Sequence, residues 1–154
     1  MNTSQYQFLL SSIDKELKMC THYSFYHSAL YYLHDMNGNK IKTIRNIVYK
    51  LLVSYQSSIQ RANKRSELYY EVLFKNGSRF FVIPFYDGQR GLRNNHILID
   101  GSISIYDIET ILYPMLIDWN TYEKCFEQHN QTDYVPIDLE DKKHFGNVTI
   151  ISEI

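Results

Sequence analysis

Apolar and polar positions alternate most clearly over residues 68–86, LYYEVLFKNGSRFFVIPFY, two strand-like runs joined by Asn76-Gly77. An Asn-Gly pair between such runs signals a hairpin, because both central residues of a type I′ turn need φ > 0. A two-residue turn pairs Lys75 with Ser78 and Val72 with Phe81. Tyr70, Val72 and Phe74 then share a core-facing side with Phe81 and Ile83, while Tyr69, Glu71 and Leu73 share the other with Phe80 and Val82. With Tyr86, that second side is more apolar than a solvated sheet face needs. Cover by the C-terminal segment, or by a second subunit in a homodimer, is expected.

Upstream the apolar spacing changes to that of helices. Ser4 can cap a first helix carrying Tyr6, Leu9, Leu10, Ile13, Leu17 and Cys20 on one stripe, with Asp14, Lys15, Glu16 and Lys18 away from it. Thr21 or Ser24 can cap a second helix running to about Met36, with a wide apolar arc (Phe25, Tyr26, Ala29, Leu30, Tyr32, Leu33, Met36), closed by Asn37-Gly38. Residues 40–62 predict the longest helix, with Ile44, Val48, Leu51, Tyr55 and Ile59 at i+3 and i+4.

Downstream, DGQRGLRNN (87–95) is a polar loop in which Arg90 and Arg93 are a candidate anion clamp. It matches no phosphate-binding glycine pattern. Residues 96–106 read as a second hairpin about Asp100-Gly101, with His96 and Leu98 on one face and Ile97 and Ile99 on the other. Asp107 can cap a short helix ending near Pro114, and Asp118 or Asn120 can start another with Trp119 and Tyr122. Residues 138–143 read as a solvated loop and Asn147–Ile151 as a last strand. The expected fold is a single α+β domain over 1–154. An N-terminal three-helix segment (1–65) packs on a four- or five-stranded, mainly antiparallel sheet built from two hairpins (66–106), and an acidic part with one or two short helices follows (107–154). The order of three helices and a hairpin resembles a winged helix-turn-helix, although only Lys75 and Arg79 are basic near the turn.

Length and composition fit that picture. A chain of 154 residues, 44% hydrophobic, suffices for one core that buries about 70% of the unfolded surface. No stretch approaches a membrane span and the N-terminus lacks a signal-peptide pattern, so a cytoplasmic protein with no membrane partner is expected. Cys20 and Cys125 belong to no Cys-x-x-Cys pair, which argues for free thiols.

Charge changes the picture more than composition does. The net charge is −1, yet residues 1–65 carry nine Lys/Arg against three Asp/Glu, and residues 101–154 carry three against ten. From Lys40 to Arg65 there are seven basic residues and no acidic one. Lys42, Arg45, Lys50 and Arg61 fall opposite the apolar stripe, and Lys64 and Arg65 extend them. A face whose only charge is positive offers contacts to phosphates or to an acidic protein. The expected function is therefore non-catalytic binding of nucleic acid or an acidic protein partner. The acidic third of the same chain is a competing occupant.

The alternative is catalytic. Cys20 at a helix boundary, His96 on a strand and Asp100 could act as nucleophile, base and orienting carboxylate of a cysteine-dependent hydrolase. The order Cys, His, Asp resembles that of papain-like hydrolases, without the glycine and tryptophan surroundings usual at that nucleophile. His27 and His34, seven apart on the expected second helix, are about 10 Å apart along its axis, too far for one metal ion. Cys20 and His22 lack a second pair. No metal set and no cofactor are assigned.

Overall fold

The run His27–Tyr32, expected inside a helix, is the central strand β1 of a six-stranded mixed sheet. Five of its six residues are buried. A strand covered on both faces shows no alternation, and its continuous apolar run imitates the wide arc of a buried helix. The structure is a computed structural model and describes residues 1–64, 66–86, 92–128, 137–152 and 154, with the side chains of 125–128 outside that description.

Helix α1 (Thr3–His22) starts two residues earlier than a Ser4 cap suggests. Asn2 and Gln5 form a reciprocal capping box, each side chain accepting the other's backbone N–H, at 2.9 and 2.7 Å. After β1, helix α2 (Asn39–Leu52) follows and is shorter than expected. Its apolar stripe runs on into a 3₁₀ segment (Val53–Ser58), and Ile59–Lys64 is the edge strand β2. Strands β3 (Tyr70–Phe74) and β4 (Arg79–Pro84) form the hairpin, and β5 (His96–Asp100) and β6 (Asn147–Ile151) complete the sheet. The spatial order is β2-β3-β4-β1-β5-β6. β2/β3 and β3/β4 are antiparallel; β1 lies parallel to both β4 and β5, and β6 parallel to β5. Residues 96–106 are thus not a hairpin. The chain turns at Asp100-Gly101 into α3 (Ile105–Asp107), capped by Ser104 and continued by a π-helical turn (Ile108–Leu112) and a 3₁₀ turn (Tyr113–Met115). Helix α4 (Trp119–Gln128) begins at Asp118, whose carboxylate accepts the Thr121 N–H at 2.9 Å, as expected. The 138–143 stretch is helix α5 (Leu139–His144), capped by Asp138.

The hairpin register is one residue off expectation. Val72 faces Phe80 and Tyr70 faces Val82. Phe74 N donates to Ser78 O at 2.9 Å and Gly77 N to Phe74 O at 3.0 Å, so the loop holds three residues with Gly77 at φ 85°. The slip moves Phe80 and Val82 under α1 and α2 with Tyr70, Val72 and Phe74, and puts Phe81 and Ile83 on the other face with Ala29, Tyr31, Ile97 and Ile99. The 103–115 segment covers that second face with Ile103, Ile108, Ile111, Leu112 and Met115. The chain itself therefore covers most of the surface from which a dimer was expected, although Tyr86 stays exposed.

The hairpin tip also ends α1. Asn76 Nδ2 donates to Cys20 O at 2.8 Å, and Ser78 Oγ donates to Tyr23 O at 2.6 Å while accepting Tyr26 N–H at 3.0 Å. The last carbonyls of the helix thus find donors from a segment more than fifty residues away. A Cβ on Gly77 would sit 2.5 Å from the Phe25 ring, in addition to the strain of its positive φ. Gly77→Ala is expected to cost about 1–3 kcal/mol, measured by urea denaturation.

Candidate functional site

Among the described residues, two places can bear function: an open basic face and a buried carboxylate–histidine centre. On α2, Lys42, Asn46, Tyr49 and Lys50 fall within a 100° arc at helical spacing and are all exposed, Tyr49 by 48%. Thr43, Asn46, Tyr49 and Lys50 line an open groove of about 460 Å³ together with Tyr6 of α1. Arg45 is half-buried on the flank of this arc. Its charge reaches Glu67, which is held below the usual carboxylate range first by the Lys64 bond at 2.7 Å and then by Arg45. Arg61 and Lys64 are exposed on β2, not on the helix. The expected single helical face is thus divided between α2 and the edge strand. Arg65 and Arg90 lie outside the described residues, and Arg93 is exposed just before β5.

Among the described residues, the acidic side chains of 101–154 make no ion pair with this face. Asp141 pairs with Lys15 at 2.6 Å, Glu140 with Lys143 at 3.6 Å, and Asp118 and Asp138 cap helices. Among the described residues, no ion pair involves Lys42, Arg45, Lys50 or Arg61.

Cys20, His96 and Asp100 are directed to other partners. The Cys20 thiol is fully buried, with Arg79 O at 3.6 Å and Tyr26 O at 4.0 Å. Burial, and then the Glu16 charge, push its pKa well up, the reverse of an activated thiol. Asp100, also fully buried, accepts Lys40 Nζ at 2.8 Å, Leu33 N–H at 2.9 Å and Ser102 N–H at 3.0 Å. None of these bonds reaches His96.

His96 belongs instead to a centre built on Glu16. Glu16 lies three residues from Ile13, four from Cys20 and seven from Leu9, which places it on the buried arc of α1 and not away from it. Its Oε1 accepts the Tyr26 hydroxyl, from just before β1, and the Ser28 hydroxyl of β1, both at 2.7 Å. Its Oε2 meets His144 Nε2 at 2.6 Å. Burial would raise the Glu16 pKa, but the His144 bond, the neighbouring imidazoles and Ser28 outweigh it and hold the carboxyl below its usual value. His96 Nδ1 meets the His144 carbonyl oxygen at 2.8 Å. A carbonyl only accepts, so Nδ1 carries the proton. In the neutral ring Nε2 is then an acceptor, facing the Thr149 hydroxyl of β6 at 2.8 Å. The two imidazoles stack with centroids 3.4 Å apart and planes at 12°. Burial, and then the charge of His144, favour the neutral form of His96 against the pull of Glu16.

The centre ties α5 and β6 to α1 and β5, and Asp141 adds a second tie through Lys15 and the Tyr23 hydroxyl at 2.8 Å. Burial raises the Asp141 pKa, yet those two bonds win and leave it lowered. A folded pKa below the unfolded value of about 3.9 gives stability that is present above that value and lost as pH falls through the folded pKa. Asp141→Asn is therefore expected to be less stable than the wild type by a constant margin between pH 8 and 5. That margin should shrink below about pH 4, as followed by urea denaturation at each pH.

Among the described residues, no helix is long and apolar enough to cross a membrane. A scan against family models, a search of curated proteins and a search of solved structures each gave no match to this chain.

Proposed function

We propose that this protein is a non-catalytic binding protein that docks nucleic acid on the basic, tyrosine-bearing face of α2. Arg61 and Lys64 add positive charge on the edge strand β2, and Arg65 follows them in the sequence. The observation that carries the reading is that Lys42 and Lys50 are exposed and without an acidic partner among the described residues, although the chain's own acidic third carries ten carboxylates. Nucleic acid is favoured over an acidic protein by what lies between the lysines. Asn46 offers a base-edge amide and Tyr49 a ring on which a base can stack, beside a groove with room for a nucleotide. Single-stranded nucleic acid is the substrate class that uses both a cationic track and a stacking ring.

The test is fluorescence anisotropy with labelled single-stranded RNA, single-stranded DNA and duplex DNA. The wild type is expected to bind single strands at low salt. Tyr49→Ala should weaken that binding by about 1–3 kcal/mol while sparing duplex binding. Absence of binding to any of the three at low salt would overturn the reading. Retention of an acidic protein through the same lysines would replace it with the protein-docking alternative.

A further inference from the structure

We infer that Glu16, His96 and His144 form a site for one divalent transition-metal ion of the zinc class. Each side chain offers a ligand atom, and the three atoms lie within 4.8 Å of one another in a centre assembled from α1, β5 and α5. Two imidazoles and a carboxylate are a common three-ligand set, which leaves a fourth position for water. The surroundings are those that orient metal ligands. Glu16 Oε1 is fixed by Tyr26 and Ser28, which leaves Oε2 as the ligand oxygen. His96 Nδ1 is fixed on a backbone carbonyl, which leaves an unprotonated Nε2. A ligating histidine whose second nitrogen donates to a carbonyl is the usual arrangement in such centres.

The side chains must adjust to close around an ion. Tetrahedral ligation at bonds of about 2.0–2.1 Å needs ligand atoms roughly 3.3 Å apart. Two rings stacked at 3.4 Å and 12° cannot both aim a lone pair at one point. The ring that can turn is His144, which is 16% exposed at the rim, whereas His96 and Glu16 are buried. On binding, the Nε2 proton that His144 shares with Glu16 leaves that nitrogen, the ring becomes the neutral tautomer protonated on Nδ1, the ion takes the Nε2 lone pair, and His96 Nε2 exchanges the Thr149 hydroxyl for the ion. The outcome is a clip holding α5 to α1 and β5.

Zn²⁺ and Co²⁺ are the probes, added to the full chain after removal of metal with chelator. Isothermal titration is expected to show one ion per chain. Co²⁺ should give the visible absorption of a low-coordinate site, and Zn²⁺ should raise the melting temperature. His144→Ala, at the rim, should weaken binding at least about tenfold, and His144→Cys, which restores a ligand, should recover most of it. Glu16→Gln keeps the shape of the centre and should weaken binding as well. No stoichiometric binding by the wild type overturns the inference, as does unchanged affinity in His144→Ala. Loss of binding in His22→Ala instead, at a surface groove shared with Asp138 and Asp141, would place the ion there and overturn it too.

Discussion

Replacing Glu16 by Ala is expected to remove about 3–5 kcal/mol of folding stability, measured by urea denaturation at pH 7. The carboxylate is fully buried and accepts from Tyr26, Ser28 and His144. Alanine leaves two hydroxyls and an imidazole N–H without their acceptor in a centre closed by Thr149, Phe145 and β1. Each such group keeps its desolvation cost when its partner is deleted. Domains of this size have about 5–15 kcal/mol in total, so the variant should approach the limit of stable folding. Glu16→Gln should cost clearly less, because its amide oxygen still accepts from Tyr26 and Ser28. A loss below about 1 kcal/mol in Glu16→Ala would show that the centre holds nothing together.

Asp100→Ala is expected to cost about 3 kcal/mol, for a related but separable reason. The carboxylate closes the end of β5 by accepting two backbone N–H groups, Leu33 and Ser102, together with the Lys40 ammonium. The two N–H groups are fixed in place by the backbone and lose their acceptor, whereas Lys40, 15% exposed, can swing its charge to water. Most of the loss should therefore come from the backbone donors. Asp100→Asn, whose amide oxygen still accepts, should recover more than half of it. Equal loss in Asn and Ala would instead assign the whole effect to the ion pair with Lys40.

Much of the sheet can be read in the sequence where one face meets a helix layer and periodicity survives. His96 and Leu98 do share the helix-covered face of β5 with Ile97 and Ile99 opposite, and β6 lies where its apolar run predicts. The central strand is not legible, because His27–Tyr32 is buried on both sides and its pattern fits helix and strand alike. The parallel pairing of β1 with β4 and β5 is equally hidden, since nothing local in a sequence marks which distant strands adjoin. The hairpin slip came from Gly77, which is compatible with a two- or a three-residue loop; the count decides which face every later side chain takes.

The sites divide the same way. Lys42 and Lys50 are visible as the polar half of an amphipathic helix, but the end of α2 at Leu52 is not, because Tyr55 and Ile59 continue the stripe at helical spacing. Tyr55 instead sends its hydroxyl to Asp14, and Ile59 opens β2. Glu16 was open to discovery, because a carboxylate three from Ile13 and four from Cys20 sits on the apolar arc. His144 was not, since its partner lies 128 residues away on another helix.

The most direct measurement is the salt dependence of single-stranded nucleic acid binding by the wild type and by Lys42→Ala/Lys50→Ala. Each phosphate contact contributes about 0.7 to the slope of log K against log salt for single strands, so the double variant should bind more weakly and lose about 1.4 from that slope. Both residues are exposed, so the variant should unfold at the wild-type urea concentration. Equal slopes and affinities in the two proteins would contradict the assignment of this face. So would a variant that loses stability and not affinity.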